Sequence, residues 1–209
     1  MDPTPTHDLL VLTADKNMHF ALLGIMSRWK SLGIYQITPT FLEHPEKDPG
    51  CLLRAHDFLR PFASSYKYAL VVFDHDGCGK EISAREALEK EVEKRLSENG
   101  WENRVAVIVI EPELDVWVWS DSPHVCTVLG WGNSLDDLHQ WLVEHGHAFL
   151  ATKKPSEPKE ALEKVLRHTR KPRSSSLYRQ LAQQVSLEKC LDPAFLKLRE
   201  RLQAWFGCE

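Results

Sequence analysis

The sequence predicts an α/β fold: a three-layer α/β/α domain around a mainly parallel central sheet, followed by a helical C-terminal extension. Three observations carry this expectation. Four apolar runs of strand length, "DLLVLT", "IYQITPTFL", "YALVVF" and "RVAVIVI", are separated by segments with helical spacing. Most are continuously apolar rather than alternating, as strands covered on both faces are. Beyond residue 150 no strand-like run recurs and the chain reads as helices, which sets domain bounds of 1–150 and 151–209.

The elements follow in order. Residues 8–13 form a short buried strand. Residues 17–32 follow as a helix with Phe20, Leu23 and the stretch from Ile25 to Trp29 on one broad side, and Gly33 is placed to end it in a left-handed turn. Residues 34–42 make a second strand, limited by Pro39. "HPEKDPG" reads as loop, and residues 51–65 as a helix that Pro61 ends or kinks. The third strand covers 68–73. In the helix predicted for 81–100, Leu88, Val92 and Leu96 line one face, Glu and Lys the other, and Gly100 closes it. The fourth strand covers 104–110. A helical turn is expected in 112–122, opened by Pro112. Residues 134–146 form another helix, with Ser134 and Asp137 spaced close to a capping box. Helices at about 158–169, 177–185 and 193–206 complete the chain, with "RKPRSSS" as a basic connector.

Composition narrows the class. At 209 residues, 43% hydrophobic and 27% charged, the chain suits a soluble domain with a real core. "MDPTPTHD" lacks the basic and apolar regions of a signal peptide, and the longest apolar run is strand-sized, so no membrane segment is expected. Five widely spaced cysteines without a CxxC pair suggest neither a disulfide framework nor a zinc ribbon, and fit a reducing, cytoplasmic location. The net charge of −4 conceals an asymmetry. Residues 151–209 carry 13 basic and 7 acidic side chains, against 13 and 23 in residues 1–150. A basic tail on an acidic body hints at a polyanionic partner, although a solvated helical surface has the same composition.

The chemistry concentrates where strand three ends, in "ALVVFDHDGCGKE". Right-handed crossovers place the C-terminal ends of parallel strands on one rim, where α/β proteins bind ligands. Strand alternation would point Asp74 and Asp76 the same way, and Gly77 allows a sharp turn. Two close carboxylates repel unless a cation sits between them, and Mg²⁺ takes one or two carboxylates while leaving positions for a phosphate. A tight Asp/Gly turn is the bland alternative. The next strand tip, "IEPELD", adds Glu111, Glu113 and Asp115, which also suit the start of a helical turn. Trp117 and Trp119 read as packing rather than as a base-stacking platform. "GCGK" lacks the Gly that a Walker loop needs five residues before Gly79, where Asp74 stands. "HGH" lacks helical ligand spacing, and no Gly-x-Ser-x-Gly elbow occurs.

The strand–helix start, "VVFDHDG" and "VAVIVIEPELDVWVWSD" resemble the TOPRIM-like proteins, in particular a small bacterial branch found beside mobile-element and phage-defence genes. The resemblance spans roughly residues 8–121, and the tail is similar less specifically. It implies Mg²⁺ (or Mn²⁺) as cofactor and phosphodiester hydrolysis of DNA or RNA. Asp74 and Asp76 would be the metal-binding pair and, with Glu113, the catalytic carboxylates. Asp115 and Asp15 would complete the metal set or hold a second ion. The family's strand-one Glu-Gly is replaced here by Thr13-Ala14, with Asp15 close enough to deputise. Arg170, Lys171, Arg173 and Arg179 are candidates for phosphate contacts.

Two alternatives stand beside this reading. A catalytically reduced TOPRIM-like subunit would act by binding other defence proteins, with oligomerisation left open. Haloacid-dehalogenase-type phosphatases also use Asp-x-Asp-Gly, with the first Asp as nucleophile. There the motif sits on the first strand and Thr or Ser follows the Gly, whereas here it is on the third and Cys78 follows.

Overall fold

The computed structural model describes residues 5–208. Four strands, β1 (His7–Thr13), β2 (Thr40–Glu43), β3 (Tyr66–Asp74) and β4 (Val105–Ile110), form one fully parallel sheet in the order β2-β1-β3-β4. Nine α-helices are found among the described residues: α1 (Lys16–Met26), α2 (Trp29–Leu32), α3 (Lys47–Leu59), α4 (Arg85–Leu96), α5 (His124–Leu129), α6 (Leu135–Glu144), α7 (Pro158–Thr169), α8 (Ser175–Gln184) and α9 (Pro193–Phe206). None is long and apolar enough to cross a membrane.

Strand order and handedness together dictate the layers. The chain moves outward from β1 to β2, then back across β1 to β3 and on to β4. Right-handed crossovers therefore put α1 on one face and α3 with α4 on the other. The contacts agree: α3 packs on α4 and β3, and α4 on β4, while α1 packs on β1, β2 and α8, and α9 on β4 and α2. All of Leu9–Leu12, Ala69–Phe73 and Ala106–Ile110 is fully buried between these layers, which explains their unbroken apolar runs. Leu177, Leu181, Phe195, Leu198 and Phe206 from α8 and α9 belong to the same core. Gly24 of α1 is seated against α8, where a Cβ would lie 2.7 Å from the Arg179 carbonyl oxygen, so the close approach requires glycine.

The outer edge of β4 is closed by side chains instead of a fifth strand. Glu93 Oε1 accepts from Val107 N–H and Glu89 Oε1 from Val109 N–H, each at 3.0 Å. From α9, Lys197 Nζ donates to the Val107 carbonyl at 2.8 Å and pairs with both glutamates at 2.8–3.1 Å. A charged, satisfied edge cannot recruit another strand.

Several boundaries differ from the sequence reading. The helix predicted for 17–32 breaks at Ser27 and Arg28 into α1 and α2, with Gly33 as the left-handed cap at φ 73°. The second strand shrinks to Thr40–Glu43, because Ile34 instead bridges to Gly207 at the end of α9. The segment that reads as loop before residue 51 already belongs to α3, with Asp48 in its first turn. Helix α4 starts at Arg85, leaving residues 81–84 in the rim loop. The helical turn expected from Pro112 contracts to a 3-10 turn, Leu114–Trp117. Helix α5 has no counterpart in the sequence reading; its run Val125, Cys126, Val128 and Leu129 is buried, and Gly130 caps it at φ 73°. The capping box at Ser134 is formed, and α7 and α9 have the predicted extents.

Candidate functional site

The order β2-β1-β3-β4 reverses direction between β1 and β3, so the crevice outside their C-terminal ends is the expected ligand site of such a sheet. The strand tips there are Thr13, Glu43, Asp74 and Ile110. The loops and helix starts that leave these tips build the rim.

Asp74 ends β3 and is half-buried. Its Oδ1 accepts from the Leu114 N–H at 2.9 Å, which ties it to the loop after β4. Its own N–H donates to Asp48 Oδ1 at 2.8 Å. Asp48 projects from the first turn of α3, reached because α3 crosses back over β1. Asp15 caps α1, its Oδ1 accepting from Met18 N–H at 2.8 Å. Burial pushes the Asp74 carboxyl far above the usual carboxylate range, and Asp48, Asp15 and Glu113 push it further. Asp48 is raised by burial and by Asp15, with the Asp74 amide and Lys47 opposing. The rim is thus a set of carboxylates that resist simultaneous ionisation. Asp15, Asp48 and Asp74 have no ion-pair partner among the described residues.

The other predicted carboxylates are placed differently. The strand ends at Asp74, so its alternation does not extend to Asp76. That residue is exposed, its N–H donating to the Pro112 carbonyl and its carboxylate 3.7 Å from His75 Nδ1. His75 itself is buried, with Nε2 2.9 Å from the Ser83 carbonyl oxygen. Glu113 lies 3.3 Å from Lys159 Nζ of α7; burial and Asp115 raise its carboxyl, and Lys159 opposes the rise. Asp115 is 2% exposed and fully engaged, by Arg173 Nη2 at 2.7 Å and the Tyr178 hydroxyl at 2.8 Å. Arg173 also donates to Tyr178 and Glu163. This network fastens the segment between α7 and α8 to the 3-10 turn.

Of the basic candidates, Arg173 is therefore committed to Asp115. Lys171 is exposed, but its Nζ donates to the Val128 carbonyl at 2.8 Å. Arg170, the left-handed cap of α7, and Arg179 on α8 are exposed. Thr13, at the tip of β1, is fully buried, and its hydroxyl donates to the Asp15 and Leu42 carbonyls.

Asp48 is the site residue that sequence reading misses. "HPEKDPG" reads as loop because it contains two prolines and a glycine. The available signal is Asp followed by Pro, a pair common in a first helical turn.

No protein-family model, curated protein or solved structure matches this chain.

Proposed function

We propose that the chain is a TOPRIM-like, Mg²⁺-dependent nuclease that hydrolyses phosphodiesters of DNA or RNA in a cytoplasmic anti-phage defence system. The observation that carries the reading is the carboxylate set at the switch point: Asp74 and Asp48 are raised by burial and by their acidic neighbours, and neither these two nor Asp15 has an ion-pair partner among the described residues. The donor chemistry fits a hard divalent ion, being all oxygen, and the hydrogen bonds of Asp15 and Asp74 use only Oδ1 of each. As the side chains stand, no three His, Cys, Asp or Glu among the described residues are grouped to hold an ion. The fit therefore requires these carboxylates to turn toward a common point.

Asp74, Asp48 and Asp15 would hold the ion, with Glu113 and the exposed Asp76 at its margin. Bound there, a divalent ion would supply Lewis-acid polarisation of the phosphodiester. Asp48 and Leu114 fix the orientation of the Asp74 segment through its amide and carboxylate. Arg170 and Arg179, exposed and without a side-chain partner among the described residues, would contact backbone phosphates, giving salt-dependent and sequence-blind affinity. The defence context rests on the family resemblance alone.

A second reading is favoured by Thr13. A buried threonine whose hydroxyl satisfies two carbonyls leaves no acid/base at the strand-one tip, as in a subunit that works by binding partner proteins. A cleavage assay separates the two. Wild type, Asp74→Asn and Asp76→Ala are incubated with plasmid, linear duplex, single-stranded DNA and RNA, in Mg²⁺ and in Mn²⁺. Metal-dependent cleavage by wild type, lost in Asp74→Asn at equal folded fraction, is expected. Equal rates in wild type and Asp74→Asn, or no cleavage of any substrate, would transfer the assignment to the partner-binding subunit.

A further inference from the structure

The loop that leaves the Asp pair, "GCGKE", is unexplained by the carboxylate site. It lacks Walker spacing, yet its backbone does something specific. The N–H groups of Gly77 and Gly79 both donate to one oxygen, Oε1 of Glu81, at 3.1 and 3.0 Å. Both glycines have positive φ, 82° and 91°, with Cys78 between them buried and anchored by its N–H to the His75 carbonyl. Backbone amides turned inward from such a turn form a concave anion site. A Cβ built on either glycine would meet nothing within 4 Å, so each is required for its φ and the space above the loop is open.

We propose that Gly77 and Gly79 form an oxyanion nest that takes a phosphate group of the ligand, and that Glu81 is its internal occupant, displaced when phosphate enters. Three features support this. Glu81 is exposed and makes no ion pair among the described residues, so the described contacts that hold its carboxylate in the nest are hydrogen bonds to backbone amides. The nest starts at the residue after Asp76, whose amide is bonded to Pro112 on the neighbouring rim loop, so it lies on the rim next to the carboxylate set. Its own backbone amide first, then those of Gly79 and Gly77, hold the Glu81 carboxyl below the usual range, as expected where backbone donors converge on an anion. Beside a set of carboxylates, amide donors offer what phosphate needs: neutral groups that bind anionic oxygen without competing for a cation. The identification of the ligand as a nucleic-acid phosphate rests on the function proposed above; the nest itself does not.

The test is an amide NMR titration in the presence of chelator, so that a failed metal site leaves it unaffected. ¹⁵N-labelled wild type, Glu81→Ala and the double variant Glu81→Ala/Gly79→Ala are titrated with inorganic phosphate and, separately, with oligothymidylate lacking terminal phosphates. Removing the internal carboxylate is expected to tighten binding roughly tenfold, the value of one charge-assisted hydrogen bond, with the Gly77 and Gly79 signals moving to saturation. The double variant is expected to lose that gain, since alanine is strained at φ 91°. Response to both probes assigns the nest to a phosphodiester, and response to inorganic phosphate alone assigns it to a terminal phosphate. No gain in Glu81→Ala, or a gain kept in the double variant, would overturn the proposal.

Discussion

Asp74 and Asp115 are both acidic, both near a strand tip and both raised by burial, yet their surroundings give them opposite roles. Asp115 has a guanidinium at 2.7 Å and a phenol at 2.8 Å, so its charge is satisfied, and its removal would take from Arg173 its most buried acidic partner. Asp74 is surrounded by other carboxylates. The native state therefore keeps its proton at pH values where the unfolded chain, with a pKa of about 3.9, has lost it. Its contribution to stability is complete below about pH 3.9 and is lost as pH rises through the raised native value. Asn at this position keeps an oxygen for the Leu114 amide and removes the charge. Asp74→Asn is expected to melt about 2–4 °C above wild type near neutral pH, about 1 kcal/mol, with the gap closing in acid. Melting curves that run parallel across the pH range would show that the carboxylates do not repel. Which Asp does which is not legible from spacing: "DHDG" and "EPELD" look equally equipped, and only the arrival of Arg173 and Tyr178, 58 and 63 residues downstream, separates them.

At the scale of elements, periodicity and caps are readable where packing is local. The first, third and fourth strands, the C-cap at Gly33, the capping box at Ser134 and the extents of α7 and α9 all follow from short-range pattern. Non-local pairing decides the rest. Residues 34–42 look like one strand, but Ile34 is claimed by the end of α9 and only Thr40–Glu43 pairs with β1. On the Glu and Lys face of α4, Glu89 is 3% exposed: it accepts from the Val109 amide of the β4 edge while Arg85 and Lys197 hold its carboxylate. Glu89→Ala would leave the Val109 amide without its acceptor and remove a shared partner of two cations. A loss of about 2–4 kcal/mol in urea unfolding is expected. A loss under about 0.5 kcal/mol, the level of an ordinary surface substitution, would show that the edge is closed by something other than this carboxylate.

For the whole molecule, the strand order explains why acidic groups from distant parts of the chain share a rim. Asp15 follows β1, Asp48 enters with the crossover from β2, Asp74 ends β3 and Glu113 follows β4. The basic C-terminal segment does not stand apart from this body. Lys159 and Arg173 lie against Glu113 and Asp115, so part of the charge asymmetry visible in the sequence is internal compensation. Asp15, Asp48 and Asp74 remain outside that compensation, and the central claim is that a divalent cation completes them. The most direct measurement is Mn²⁺ titration followed by the electron paramagnetic resonance signal of free Mn²⁺, on wild type and Asp74→Asn. The expected result is uptake of Mn²⁺ by wild type, reversed by Mg²⁺ and lost in the variant. A free-ion signal undiminished by wild type, or diminished equally by Asp74→Asn, would contradict the assignment of this rim as a metal site.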